Sequence, residues 1–142
     1  MLKSGDPAPD LSSIPRTDPS RPLVLFFFPK AFTPVCTAQA CAFRDAGASL
    51  SSVADVVGVS SDPPAVQARF AEENRLGYPL VSDEGGRLAR AFGTGWLGGL
   101  IPVPGRCTFV VRDGVVDGAF RSELGSEAHA TFARGVLSGS PT

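Results

Sequence analysis

The chain alternates between continuously apolar runs and segments with a helical repeat, punctuated by proline and glycine. Leu23 to Phe28 (LVLFFF) has no polar position and is cut by Pro29, the pattern of a strand buried on both faces of a sheet. Beyond it Phe43, Ala46, Leu50 and Val53 recur at offsets of three, seven and ten from Phe43, which predicts a helix with Thr33 as N-cap and Pro34 as its first residue. Asp55 to Ser60 (DVVGVS) reads as a second buried strand. Ser61-Asp62-Pro63-Pro64 then offers capping oxygens and a proline for a helix start, with Val66 and Phe70 on the apolar side and Gly77 as the stop. Tyr78 to Ser82 is a short strand and Gly86 to Phe92 a helix closed by Gly93. Cys107 to Val111 and Val115 to Phe120 flank Arg112-Asp113-Gly114, a hairpin signal. Ser126 opens a last helix with Phe132 and Val136 inward, and Ser138 to Thr142 reads as a frayed tail. Residues 1–22, with Pro7, Pro9, Pro15, Pro19 and Pro22, read as an extended lead-in laid on one domain covering residues 1–142.

Composition narrows the function classes. A chain of 142 residues with 43% hydrophobic and 19% charged residues is globular and long enough for one core. A formal net charge of −1 gives no electrostatic case for nucleic acid or membrane binding. MLKSGDPAPD has no hydrophobic signal segment and no apolar run approaches a membrane span, so the expected location is the cytoplasm. Three cysteines in a reducing compartment point to reactive or incidental thiols rather than a disulfide framework.

Cys36 falls in the first turn of the first predicted helix, where unpaired backbone N–H groups and the positive end of the helix dipole favour a thiolate over a thiol. Cys41 follows five residues later. Helix geometry puts their Cα atoms roughly 8–9 Å apart, beyond the ~7 Å a disulfide spans, so the pair can bond only if part of the helix unwinds. Cys107 follows Arg106 on a strand; if Arg106 and Thr108 face a site, alternation turns Cys107 away. His129, the only histidine, lies between Ala128 and Ala130 and reads as a surface or boundary residue.

These residues carry a resemblance. Pro29, Thr33 and Cys36 match the peroxiredoxin active-site pattern of Pro, three residues, Thr, two residues, Cys. Cys41 sits where the peroxiredoxin Q, or bacterioferritin comigratory protein, branch carries its resolving cysteine. Arg106, Thr108, Phe109 and Val110 resemble the family's Arg-x-Thr-Phe-Val strand, and Ala8-Pro9-Asp10 resembles its start. The resemblance implies an α/β, thioredoxin-like fold, a central mixed sheet with helices on both faces, which the order of predicted elements also fits. It implies a thiol-dependent peroxidase acting on hydrogen peroxide and organic hydroperoxides. Cys36 would be the peroxidatic nucleophile and Cys41 the resolving cysteine, with Thr33, Arg106 and Pro29 completing the site. A thioredoxin-like dithiol would be the reductant, no metal, flavin or haem would be required, and the protein would act as a monomer or weak homodimer. Gln39 departs from the family, where Glu is frequent, as does Arg112, where Asp is frequent.

Other readings fit less well. Gly93, Gly95 and Gly98 spell GxGxxG within the uncharged stretch 93–105, but no strand precedes it, and Gly99, Pro102 and Pro104 deny the helix a dinucleotide would need. Trp96, Leu97, Leu100 and Ile101 in that stretch would instead cover the core, wall the active site or form a partner-docking patch. No GxSxG elbow accompanies His129, and a zinc site from Cys36, Cys41, Cys107 and His129 would need four distant positions to converge. Four residues rather than two between Cys36 and Cys41 weaken a disulfide-reductase reading. The alternative from another class is a redox-switched binding protein or holdase, exposing Phe32 and Phe43 as the helix unwinds.

Overall fold

The computed structural model describes residues 1–15, 20–96, 101–122 and 126–138. Strand β1 (Leu23–Phe27) is buried along its whole length, as its unbroken apolar run requires. It pairs in parallel with β2 (Asp55–Ser60), which pairs in parallel with β3 (Leu80–Ser82). On its other side β1 pairs antiparallel with β6 (Cys107–Arg112), which turns into β7 (Val115–Arg121). The five-stranded sheet therefore runs β3-β2-β1-β6-β7, and β1 lies where its direction changes. Asp113 and Gly114 close the β6–β7 hairpin, both with positive φ, at 53° and 77°.

Helices α1 (Pro34–Asp45) and α2 (Gly47–Ser51) follow β1. α3 (Pro64–Glu73) links β2 to β3, α4 (Arg87–Phe92) follows β3, and α5 (Ser126–Leu137) closes the described chain. Side chains of β1 alternate between two apolar layers. Phe26 and Phe28 point into one with Cys36, Phe43 and Phe70; Leu25 and Phe27 point into the other with Phe92, Cys107 and Phe109. Phe26 stacks on Phe43 at 4.4 Å between ring centroids, and this contact fixes α1 against the sheet.

The structure corrects several expectations. The helix predicted through Val53 breaks at Ala46, just before Gly47, and Val53 is 48% exposed: the break rotates the apolar stripe, so only Phe43, Ala46 and Leu50 stay inside. Ser61 and Asp62 do not cap α3, whose N-cap position is Pro63 without a side-chain bond. α3 ends at Glu73, ahead of Gly77, and Arg75 takes the left-handed turn at φ 53°. The uncharged stretch contains a small ribbon, β4 (Gly95–Trp96) with β5 (Ile101–Pro104). Leu97 and Leu100, and the side chains of Trp96 and Ile101, lie outside the described residues. The lead-in is not merely laid on: Gly5 N–H donates to Val116 O at 2.8 Å and Val116 N–H to Asp6 O at 2.9 Å.

Tyr78, at the entrance to β3, rests edge-on against Phe26 and donates its hydroxyl to the Ala40 carbonyl of α1 at 2.6 Å. Burial raises the phenol well above the ordinary tyrosine range, with Cys41 adding to the rise and Arg44 opposing it. A raised folded-state value means that Tyr78 contributes its full stability below the unfolded tyrosine value of about 10, and that the contribution is lost as pH climbs above it.

Two predictions follow from this packing. A Cβ on Gly58 would lie 2.7 Å from Leu80 Cδ2 and 2.8 Å from Phe26 Cζ, so Gly58→Ala is expected to cost about 1–3 kcal/mol in urea unfolding. Tyr78→Phe is expected to flatten the loss of stability above about pH 10; an unchanged alkaline limb would refute the placement of the phenol.

Candidate active site

The site is assembled at the end of β1 because Pro29 has no N–H to continue the ladder and diverts the chain into the loop Lys30–Thr33. That loop is pinned. Asp62, just past β2, accepts from Ala31 N–H at 2.7 Å and from Ser60 Oγ at 2.8 Å. The oxygens read from sequence as a helix cap therefore anchor the neighbouring loop. Phe32 is held at φ 65°, a strained conformation for an aromatic residue. Its ring packs edge-on to Phe70 at 5.2 Å, and the Arg69 guanidinium lies over it at 5.4 Å.

Thr33 occupies the N-cap position of α1, and Pro34 opens the helix, but the Thr33 side chain makes no cap bond. Its hydroxyl donates instead to Lys30 O at 2.8 Å, which commits the proton and leaves the oxygen lone pairs available. Cys36 sits in the first turn and is fully buried. Arg106 Nη2 lies 3.3 Å from its sulfur. The antiparallel register Phe27↔Cys107 accounts for this meeting, since it leaves Arg106 level with Phe28, where β1 gives way to the loop. Cys36, Thr33, Pro29 and Arg106 are thus gathered at one end of the sheet.

Cys41 is half-buried farther along α1, its sulfur 3.7 Å from Asn74 Oδ1. None of the three cysteines is joined in a disulfide. Cys107 packs in the layer opposite Cys36, with its sulfur 3.5 Å from Met1 Sδ, so the two faces of the sheet keep those thiols apart.

His129 is the residue that sequence reasoning misplaced. It is fully buried, with Nδ1 2.8 Å from Thr108 Oγ1 and Nε2 2.9 Å from the Ser122 carbonyl. Ser122 N–H donates in turn to Arg106 O at 3.2 Å. His129 therefore braces α5 against Thr108 of β6 and against Ser122, whose N–H holds the Arg106 carbonyl. The small residues beside it, Ala130 and Ala133, were the available signal: both are buried, and they let the helix approach closely.

The chain is similar to known proteins over most of its length. The model of the AhpC/TSA family matches residues 6–119. A peroxiredoxin of Mycobacterium tuberculosis is 42% identical over 149 residues, covering 96% of each chain. Chloroplastic peroxiredoxin Q of Gentiana triflora is 39% identical over 77% of this chain and 51% of its own. Among solved structures, peroxidoxin BcpB of Mycobacterium tuberculosis superposes with a TM-score of 0.84 at 41% identity over 100% of both chains. The bacterioferritin comigratory protein of Xanthomonas campestris superposes with a TM-score of 0.77 at 27% identity, over 84% of this chain and 80% of that one. With its thioredoxin-like sheet, this chain belongs to the AhpC/TSA family and, within it, to the peroxiredoxins, which are thiol-dependent peroxidases.

Proposed function

We propose that Cys36 reduces hydrogen peroxide and organic hydroperoxides and that Cys41 resolves the product. The observation that carries this reading is the Cys36 sulfur in the first turn of α1 with a guanidinium nitrogen 3.3 Å away. The thiolate attacks one peroxide oxygen, the O–O bond breaks, and the departing oxygen takes a proton to leave as water or alcohol. Arg106 is suited to hold the thiolate and the developing oxyanion together, because its fork of donors is always charged. Thr33, with its proton given to Lys30, can accept a hydrogen bond from the proton-bearing end of the peroxide. Pro29 sets the loop that brings Thr33 and Cys36 to the strand end.

Cys36 is then a sulfenic acid. Cys41 attacks its sulfur, the S–S bond forms and the S–O bond breaks, and water leaves with the thiol proton. Both cysteines lie in one intact helix, so this step requires α1 to open between them. A thioredoxin-type dithiol of the cytoplasm restores both thiols by exchange with the protein, as a monomer or weak homodimer. The Xanthomonas campestris relative, with its alkyl peroxide reduction activity, supports organic hydroperoxides as substrates.

Rapid mixing of the fully reduced protein with one equivalent of hydrogen peroxide, followed by mass analysis, tests the assignment. The wild type should lose two thiols quickly, Cys36→Ser none, and Cys41→Ser should accumulate a lasting sulfenic acid. Oxidation of the wild type at the rate of a free thiol, with no catalytic turnover on an added dithiol, would sink the peroxidase assignment of Cys36 and favour the switch or holdase. Arg106→Ala should slow Cys36 oxidation by roughly 100-fold, the scale of losing one preorganised oxyanion donor, while leaving the rate of the later disulfide step within twofold.

A further inference from the structure

The turn of α1 that carries Cys41 is tied to the connection between α3 and β3. Tyr78 donates to Ala40 O at 2.6 Å, and Asn74 Oδ1 faces the Cys41 sulfur at 3.7 Å. Arg44 Nη1 donates to the Asn74 carbonyl at 2.8 Å. The Asn74 carboxamide is itself oriented, because its Nδ2 donates to Phe70 O at 2.9 Å. The connection is conformationally fixed by the left-handed Arg75 and by Leu76 N–H on Ala71 O at 3.0 Å. These ties are not sealed in the core: a groove of about 910 Å³ runs beside them, lined by Phe43 and Arg44 on one side and Gly77, Tyr78 and Pro79 on the other.

One residue between the two cysteines pulls the other way. Gln39 is fully buried, and neither its Oε1 nor its Nε2 has a hydrogen-bond partner among the described residues. A buried carboxamide with both groups unbonded recovers those bonds in water once its turn opens, so Gln39 favours the unwound state that the outside ties oppose.

We infer that Tyr78 and Asn74 are positioning residues for the resolving step, holding Cys41 in the helix, and that with Gln39 they set how long the Cys36 sulfenic acid waits for it. The inference rests on the roles proposed for Cys36 and Cys41. Its chemical consequence is a partition. Attack by Cys41 expels water and forms the disulfide, whereas attack on a second hydroperoxide breaks another O–O bond, yields the sulfinic acid and releases water or alcohol. Loosening the ties favours the first path, and removing the orphaned carboxamide favours the second.

The test compares wild type, Tyr78→Phe, Asn74→Ala and Gln39→Leu in rapid mixing with hydrogen peroxide. First thiol loss and disulfide formation are followed separately, and the sulfinic fraction is weighed after excess peroxide. In Tyr78→Phe and Asn74→Ala, first thiol loss should keep its wild-type rate, while disulfide formation speeds up about tenfold and the sulfinic fraction falls. In Gln39→Leu disulfide formation should slow by a similar factor, and the sulfinic fraction should rise. Opposite signs separate the inference from general loss of stability, which would move all three variants alike. Disulfide rates within twofold of wild type, or shifts in one direction only, would overturn it. Failure of the wild type itself to oxidise at Cys36 would instead remove the underlying assignment of the cysteines, and this inference with it.

Discussion

A strand with no exposed side chain can carry chemistry only at its ends, and β1 is such a strand. Aromatic rings fill both of its faces, Phe26 and Phe28 meeting Phe43 and Phe70 on one, Phe27 meeting Phe92 and Phe109 on the other. Its two neighbours run in opposite senses, so the end of β1 coincides with the end of β2 and the start of β6. Asp62 arrives from the first and Arg106 from the second. A sulfur on α1 and a guanidinium 70 positions later in the chain therefore meet without any long loop reaching between them.

How much of this could be read beforehand depended on the range of the determining contact. β1, β2 and the β6–β7 hairpin follow from local alternation and turn chemistry, and their bounds agreed to within a residue. The sequence spacing also brought Thr33 and Cys36 to one helix start. What went wrong involved competition between partners. Asp62 had a choice between a helix N-terminus and the Ala31 amide, and local rules see only the first. Val53 continued a periodic stripe that the break at Ala46 had already rotated away. His129 was judged by its neighbours in sequence, while its environment was decided by Thr108, 21 residues earlier on another element.

The proposed cycle makes two incompatible demands on α1. Its first turn must stay wound, since the exposed amide ends and the approach of Arg106 both depend on that geometry. Its next turns must come apart for the second sulfur to arrive. The helix meets both by uneven attachment: Phe43 is stacked on the sheet, the middle turns hold a buried carboxamide with no partner among the described residues, and the outer side is fastened by a few polar contacts beside a groove. Hydrogen bonds of this kind are individually modest and can be remade, which suits them to a segment that the proposed cycle opens repeatedly.

The repeated opening that the proposed cycle requires would also raise a hazard of self-association, because a sheet with bare outer strands recruits passing chains. The lead-in segment answers this along the first half of β7. Gly5, Asp6 and Ala8 bond to Val116 and Gly114, Ser4 reaches the Asp117 carbonyl, and Pro7 lies opposite Val115 with no N–H to offer outward. At the far margin β3 is only three residues long, which leaves little edge to pair with. With β7 covered along that half and β3 short, the opening of α1 that the proposed cycle requires leaves little bare strand beside it for a second chain to zip onto.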